Sequence, residues 1–194
     1  MKKIVVLTAL LYASIVSAGS CSVHTLEDTC FTTAFSSGYV FKHDDHNFKE
    51  VYGRGMGDII TVDGCYHIRP SWGIGGKFSY WLASGNTTFF KRRTFLHEVP
   101  VTFSVRYMLN CCTGFQLYTS LGGGVAWMQE ESYLGTSHLT RGIGEWEGGF
   151  HYSRCGRLSL TSAFRYLFPR QSHNHQSKMD VGGFDLRVGL GVSF

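Results

Sequence analysis

Nine charged residues of this chain lie in stretches where they alternate with apolar side chains. They are Asp63, Lys77, Glu98, Arg106, Glu145, Glu147, Arg165, Asp185 and Arg187. Five are acids and four are bases, so almost every charge has an available partner of opposite sign. Charges removed from water must pair or meet trapped water, because an isolated buried charge is costly. These residues predict an internal charge network, which would act either as a switchable gate or as a static polar plug.

Cysteine is the second residue type in this chain that could take part in chemical reactions. The chain contains six cysteines: Cys21, Cys30, Cys65, Cys111, Cys112 and Cys155. Their spacing matches no zinc site, and the adjacent Cys111 and Cys112 are poorly placed to bond to each other. In an oxidising compartment six thiols predict disulfides, within the chain or between chains. The alternative is a packing role as small buried apolar residues.

Histidine-containing motifs are weaker signals. His151 precedes Ser153 by two residues, and a histidine oriented by a carboxylate such as Glu147 would activate a serine. Residues 43–46 and 173–175 place histidines beside aspartates or asparagine, which are suitable metal ligands. Neither of these two clusters has the spacing of a closed metal site, so we expect solvated loop residues and no metal or cofactor.

The N-terminus predicts export. Lys2 and Lys3 precede an apolar run, Ile4–Val16, which is followed by Ser17, Ala18 and Gly19. This pattern is typical of a cleaved secretory signal at residues 1–18, and it leaves one domain at 19–194. Cleavage before Cys21 with lipidation of its thiol is the alternative.

Composition excludes several classes of protein. The chain has 18 Lys and Arg against 14 Asp and Glu, with no longer basic run than Lys91–Arg93, so no nucleic-acid partner is expected. After residue 18 no apolar run is long enough for a membrane-spanning helix. The 24 glycines, 15% aromatic content and 16% charge favour a β-rich chain.

Hydrophobic residues repeat with the period of two that is typical of β-strands. From Phe184 to Phe194 every second residue is apolar, and the residues between them are polar or glycine. Seven further stretches show the same alternation, at about 30–41, 60–68, 72–82, 98–109, 115–127, 145–152 and 158–168. The sequence therefore predicts eight strands, each with one apolar face and one polar face.

The connections between these strands alternate in length. Those at 67–71, 110–114 and 153–157 are short, whereas those at about 42–57, 84–97, 129–142 and 169–182 are long and polar. Aromatic residues collect near both ends of the strands, as expected at the two interfaces of a membrane. Mapped on this pattern, all six cysteines fall at the short-turn end. The chain resembles the small eight-stranded outer-membrane β-barrels, such as the OmpA transmembrane domain, OmpX and OmpW.

This resemblance implies an all-β, antiparallel, up-and-down transmembrane barrel in a bacterial outer membrane. Its partners would be outer-membrane lipids and the barrel-assembly machinery, which reads a C-terminal aromatic such as Phe194. We expect a non-enzymatic structural or surface-interaction protein with four extracellular loops and a cysteine-rich periplasmic pole, able to cross-link to envelope proteins by disulfides. A narrow channel for small solutes is the first alternative.

A lipid A-modifying enzyme is the second alternative, because His151 and Ser153 resemble the His-x-Ser pair of outer-membrane lipid A deacylases. The motif falls at the short-turn end, however, and two further strands follow it here.

We also predict specific contacts inside the barrel. Glu147 is expected near Arg165, and Arg165 near Asp185, because their strands are neighbours. Cys30 with Cys65 is the favoured internal disulfide.

Overall fold

The computed structural model describes residues 31–42, 52, 56–86, 92–112, 114–153, 157–169 and 182–194. The predicted signal peptide at 1–18, both histidine clusters, and Cys21, Cys30 and Cys155 lie outside these ranges. Within the described ranges, no helix is sufficiently long and apolar to cross a membrane.

Eight antiparallel strands form one closed barrel in which each strand pairs with its neighbours in sequence and β8 pairs with β1. The strands are β1 (Phe31–Lys42), β2 (Met56–Arg69), β3 (Trp72–Asn86), β4 (Arg93–Cys112), β5 (Phe115–Ser132), β6 (Gly135–Tyr152), β7 (Leu158–Pro169) and β8 (Gly183–Ser193). The predicted up-and-down barrel and all eight predicted strands are confirmed.

The two ends of the described chain close the barrel. The backbone N–H of Phe194 donates to the carbonyl of Phe31 at 2.8 Å, and the N–H of Phe31 donates to the carbonyl of Phe194 at 3.2 Å. This pair extends the β1–β8 ladder to the last residue, so the sheet keeps no open seam at that position.

The alternating pattern sorts side chains between the outside and the inside of the barrel. Phe35, Phe103 and Leu121 are 52%, 69% and 66% exposed on the outer surface. Polar residues of the opposite parity, such as Thr61 and Ser79, are completely buried inside. Successive side chains of a strand point to opposite faces, and an eight-stranded barrel has an interior just wide enough to be filled by side chains.

Strands β4, β5 and β6 are longer than predicted, with 20, 18 and 18 residues. The predicted long loop at 129–142 is wrong, because β5 and β6 continue through it and meet at the two-residue turn Tyr133–Leu134. Gly135 follows this turn with a φ of 129°, a backbone conformation that glycine adopts without strain. The connection expected at 84–97 is also shorter, since β3 continues to Asn86 and β4 begins at Arg93.

The added strand length changes the inner face at the long-loop end. The sequence predicts an inner face that is polar or small throughout, which is wrong near this end. The following buried residues form an apolar cluster there: Val40, Tyr52, Ile59, Trp81, Ala83, Leu96, Ala126, Met128, Ile143 and Leu167. We call this group the apolar cap. It covers the charged residues that lie deeper in the barrel.

Candidate functional site

The nine predicted charged residues all lie inside the barrel, with relative exposures of 8% or less. Six strands, from β2 to β8 with the exception of β5, contribute them. Each occupies the inward parity of its strand, because the intervening residues are the apolar ones of the outer surface. The barrel thus concentrates five carboxylates and four cations in one enclosed space.

Glu147 on β6 is the most highly connected residue of this network. Its carboxylate binds the guanidinium of Arg187 and lies 3.3 Å from Lys77 Nζ and 3.7 Å from Arg106 Nη2. The Tyr118 hydroxyl donates a further hydrogen bond to Glu147 Oε1 at 3.0 Å. Three cations from three different strands therefore converge on one carboxylate.

The neighbouring carboxylates extend the network around the lumen. Arg165 Nε donates to Asp185 Oδ2 at 2.7 Å, as predicted from the adjacency of β7 and β8. Arg187 Nε lies 2.7 Å from Asp185 Oδ1, and Arg165 Nη1 lies 3.8 Å from Glu145 Oε2. Glu145 also binds Lys77. These contacts and those of Glu147 form a closed circuit of alternating charges.

One predicted contact differs from the one observed, and one pair of opposite charges that face each other in the register does not form an ion pair. Glu147 and Arg165 are direct neighbours in the β6–β7 register, but the closest cation to Glu147 is Arg187 from β8. Asp63 and Lys77 are likewise opposite each other on β2 and β3, yet Asp63 accepts from Arg106 at 2.6 Å. Long side chains in a narrow lumen reach across it, so strand adjacency alone does not determine their partners.

Lys42 is an interior residue that sequence reasoning missed. Its Nζ donates to Glu98 Oε2 at 2.5 Å and lies 4.7 Å from the ring centre of Trp81. The sequence pattern places Lys42 at the start of the first long loop, although its parity matches that of the inward residues Ser36 and Val40 on β1. With Lys42 added, the nine predicted charged residues become a set of five acids and five Lys or Arg residues.

Tyr118 also contributes to the lumen below the charged circuit. The guanidinium of Arg106 lies 4.3 Å from the centre of its ring, a cation–π contact. The imidazole of His151 stacks on the same ring, with centroids 4.9 Å apart. A small cavity beside this stack is lined by Ser36, Asp63, Thr161 and other residues.

Tyr52, a member of the apolar cap, is bound to β5 by its hydroxyl. Its hydroxyl donates to Glu130 Oε1 on β5 at 2.8 Å, and its side chain is buried. Burial and the neighbouring Glu130 raise the pKa of Tyr52, so its hydroxyl remains protonated and able to donate. The lumen is consequently closed at this end by a layer with few polar groups.

The arrangement of His151 and Ser153 does not favour nucleophilic catalysis. His151 faces the interior and stacks on Tyr118, whereas the Ser153 hydroxyl donates to the carbonyl of Leu158 at 2.9 Å. A serine nucleophile needs its base within hydrogen-bonding reach. Among the residues that the structure describes, no group of three or more His, Cys, Asp or Glu is arranged to hold a metal ion.

Two of the six cysteines have described side chains. Cys65 is a buried free thiol that faces the lumen, and Cys111 is an exposed free thiol at the end of β4. The residue opposite Cys65 in the β1–β2 register is Thr32. Cys30 lies outside the described residues and the Cys65 thiol is unbonded here, so the favoured disulfide between Cys30 and Cys65 is not borne out by the described structure.

Comparison with solved structures identifies the same fold in several bacterial proteins. Neisserial surface protein A superposes with a TM-score of 0.65 at 13% identity, covering 84% of this chain and 96% of that one. OprG of Pseudomonas aeruginosa gives 0.63 at 13% identity, covering 88% and 99%. Ail of Yersinia pestis, in complex with the heparin analogue sucrose octasulfate, gives 0.53 at 16% identity, covering 84% and 99%.

No protein-family model and no curated protein sequence matches this chain. At these identities the structural likeness establishes the fold, which is that of the small eight-stranded outer-membrane barrels.

Proposed function

We propose that this chain is an integral outer-membrane barrel with a closed lumen, which anchors a surface-exposed sheet on the outside of a bacterial cell. The observation that carries this proposal is the filling of the lumen, where a balanced set of buried ion pairs lies beneath the apolar cap. Such an interior supports an anchoring role over conduction.

The outer surface supports insertion into a membrane. Large apolar side chains on all eight strands are exposed there, including Val62, Phe78 and Leu186 at 48%, 52% and 50%. A soluble barrel would place such residues inside, because a contiguous exposed apolar surface of this kind is unfavourable in water. Trp127 and Trp146 lie near the long-loop end, where aromatic rings favour the membrane interface.

The interior argues against a narrow solute channel. Arg165, Glu145 and Glu147 are almost completely buried, so no wide aqueous path surrounds them. Opening a path through the circuit would separate charges that each have partners on two or more strands. Breaking one buried ion pair of this kind costs about 3–5 kcal/mol.

Strands β5 and β6 are longer than a membrane-spanning strand needs to be, and this extra length supports a role in interactions at the cell surface. Transmembrane strands need roughly 9–11 residues, whereas β5 and β6 each have 18. Beyond Trp127 the outward residues become polar, with Gln129, Glu131 and His138. The upper part of the β5–β6 hairpin thus extends past the apolar surface into the extracellular solvent.

We also propose that the short-turn pole forms disulfide cross-links with envelope proteins. Cys111 supports this idea because its thiol is exposed, and Cys112 follows it at the end of the same strand. In the proposed orientation the turn beside them faces the periplasm. The periplasm is an oxidising compartment, in which disulfides form and persist.

Two measurements on the refolded barrel test the central proposal. Electrophoresis with and without boiling should give two mobilities, since a closed barrel resists unfolding by detergent. Planar-bilayer recordings of the same sample should show no stable conductance steps. Identical mobilities would contradict the membrane barrel, and reproducible ohmic steps would favour the channel.

A further inference from the structure

One part of the barrel interior is built from small residues. Ser36 on β1 and Thr161 on β7 both lie opposite Gly189 of β8, so a residue without a side chain separates them. A β-carbon at Gly189 would lie 2.2 Å from the carbonyl oxygen of Phe35, so glycine permits the close approach of β8 to β1 at this point. The side chains of Ser36 and Thr161 are therefore not packed against a third side chain from the strand between them.

The small cavity beside the stacked rings of Tyr118 and His151 lies at this point. Ser36 and Thr161 line it together with these two rings, and Asp63 also reaches it. Every residue that lines the cavity belongs to one of the described strands. The cavity has room for about one water molecule, and its lining is sufficiently polar to hold one.

The Asp63 carboxylate has one oxygen with a partner and one without. Oδ2 accepts from Arg106 at 2.6 Å, whereas Oδ1 is buried and has no hydrogen-bond partner among the described residues. Asp63 as a whole is only 8% exposed. A buried carboxylate oxygen that has lost its hydration is unfavourable unless another donor replaces it. Asp63 Oδ1 thus needs a donor on the side of the cavity.

Two hydroxyl groups of the cavity are also available. Within the described ranges, no hydrogen bond joins the Ser36 or Thr161 hydroxyl to another side chain. Both residues are buried, at 7% and 5% exposure. A buried hydroxyl ordinarily has a hydrogen-bond partner, either in the protein or in an ordered water. The same small space therefore contains one acceptor and two hydroxyls that lack partners.

We propose that this cavity binds an ordered water molecule, which donates a hydrogen bond to Asp63 Oδ1 and accepts from the Ser36 and Thr161 hydroxyls. A buried water makes about three hydrogen bonds, which is the number that these groups provide. The charge of the lumen favours water over a cation, because the ten interior residues already identified are five acids and five Lys or Arg residues. The inference goes beyond the proposed function, since it holds whatever the barrel contacts at the cell surface.

The bound water connects β1 to the charged network. β1 contributes none of the nine predicted charged residues, and its lysine, Lys42, lies at the opposite end of the strand from the short turns. Through the water, Ser36 is joined to Asp63, which binds Arg106. Arg106 Nη2 in turn lies 3.7 Å from Glu147. The water thus extends the network around Glu147 to the strand that closes the barrel with β8.

A crystal structure of the refolded barrel, at a resolution that shows ordered water, tests the position directly. We expect a density peak about 2.5–3.0 Å from Asp63 Oδ1 and from both hydroxyls. A second crystal soaked in thallium(I) acetate tests for a cation, because thallium(I) replaces monovalent cations and scatters anomalously. A cavity without density, or an anomalous peak inside it, would overturn the proposal.

Two substitutions of Thr161 test the water in solution. Thr161→Val removes the hydroxyl with little change in volume, whereas Thr161→Ser keeps it. Relaxation dispersion of oxygen-17 in solvent water detects long-lived buried waters and is insensitive to exchange of hydroxyl protons. We expect Thr161→Val to lose about one such water relative to Thr161→Ser.

A third variant guards against a local defect at residue 161. Ser36→Ala removes the other hydroxyl from a different strand and should cause the same loss of one long-lived water. Gel mobility before and after boiling shows which variants have folded, and only folded variants are compared. Equal dispersion amplitudes for Thr161→Ser, Thr161→Val and Ser36→Ala would refute the proposal.

Discussion

Lys42 at the end of β1 reaches across the lumen to Glu98 on β4, with 2.5 Å between Nζ and Oε2. Both side chains are almost completely buried, at 4% and 1% exposure. This ion pair lies beside Trp81 of the apolar cap, above the closed circuit of charges around Glu147 and Glu145. In the described structure none of the four predicted cations forms an ion pair with Glu98. Lys42 is the cation that pairs with it.

The first prediction concerns this ion pair. Lys42→Met should destabilise the barrel by about 3–5 kcal/mol, because Glu98 would remain buried and charged without its partner. The double variant Lys42→Met with Glu98→Gln should be more stable than Lys42→Met alone. Urea unfolding of the refolded proteins, followed by tryptophan fluorescence, measures the differences. Strictly additive losses would show that the two side chains do not interact.

The fold follows from the sequence because each strand has one apolar and one polar face. Lipid outside and a filled lumen inside impose this period of two on Phe184–Phe194 as on every other strand. The upper parts of β5 and β6 are different. In the proposed orientation they rise above the lipid, so polar residues such as Gln129 and His138 interrupt the apolar pattern, and the sequence there resembles a loop.

The sequence predicts which residues form the candidate site, but it does not predict which of them bind each other. Parity identifies Arg165 and Glu147 as inward-facing, since alternation requires it. The choice of Arg187 over Arg165 as the partner of Glu147 depends on how far each side chain reaches across the lumen, and on the shear of the barrel. Neither quantity is contained in the spacing of residues along one strand.

The second prediction concerns the convergence of three cations on Glu147. Glu147→Gln should destabilise the barrel more than Glu98→Gln, because it leaves Lys77, Arg106 and Arg187 without their shared carboxylate, whereas Glu98 faces Lys42 alone among the ion pairs described. Both variants keep the size of the side chain. The temperature at which the compact gel form disappears gives the ranking, and a reversed order would argue against Glu147 as the centre of the network.

The third prediction tests the position of the membrane on the outer surface. Val188→Arg should destabilise by about 2–4 kcal/mol, because it places a charge on the lipid-facing surface near mid-strand. Leu134→Arg is the control, since Leu134 is 81% exposed at the turn between β5 and β6, beyond the apolar surface. We expect a change within about 0.5 kcal/mol there. Similar costs at both positions would place the hairpin tip in the bilayer.

Spin labels provide a second readout of the same boundary. A label at residue 188 should be accessible to oxygen dissolved in lipid, because Val188 is 53% exposed on the outer surface. A label at residue 134 should instead be accessible to a water-soluble nickel reagent. A label at 188 that responds to the nickel reagent would contradict the proposed orientation of the strands.

The last prediction concerns cross-linking at the short-turn pole. Non-reducing electrophoresis of envelopes should show higher-mass species that disappear with reductant, because the Cys111 thiol is exposed and can exchange with a disulfide of another protein. Cys111→Ser with Cys112→Ser should deplete these species. Cys65→Ser should leave them unchanged, since the Cys65 thiol is buried in the lumen and should react with maleimide only after unfolding. Complete alkylation of all six thiols without prior reduction would exclude the cross-links.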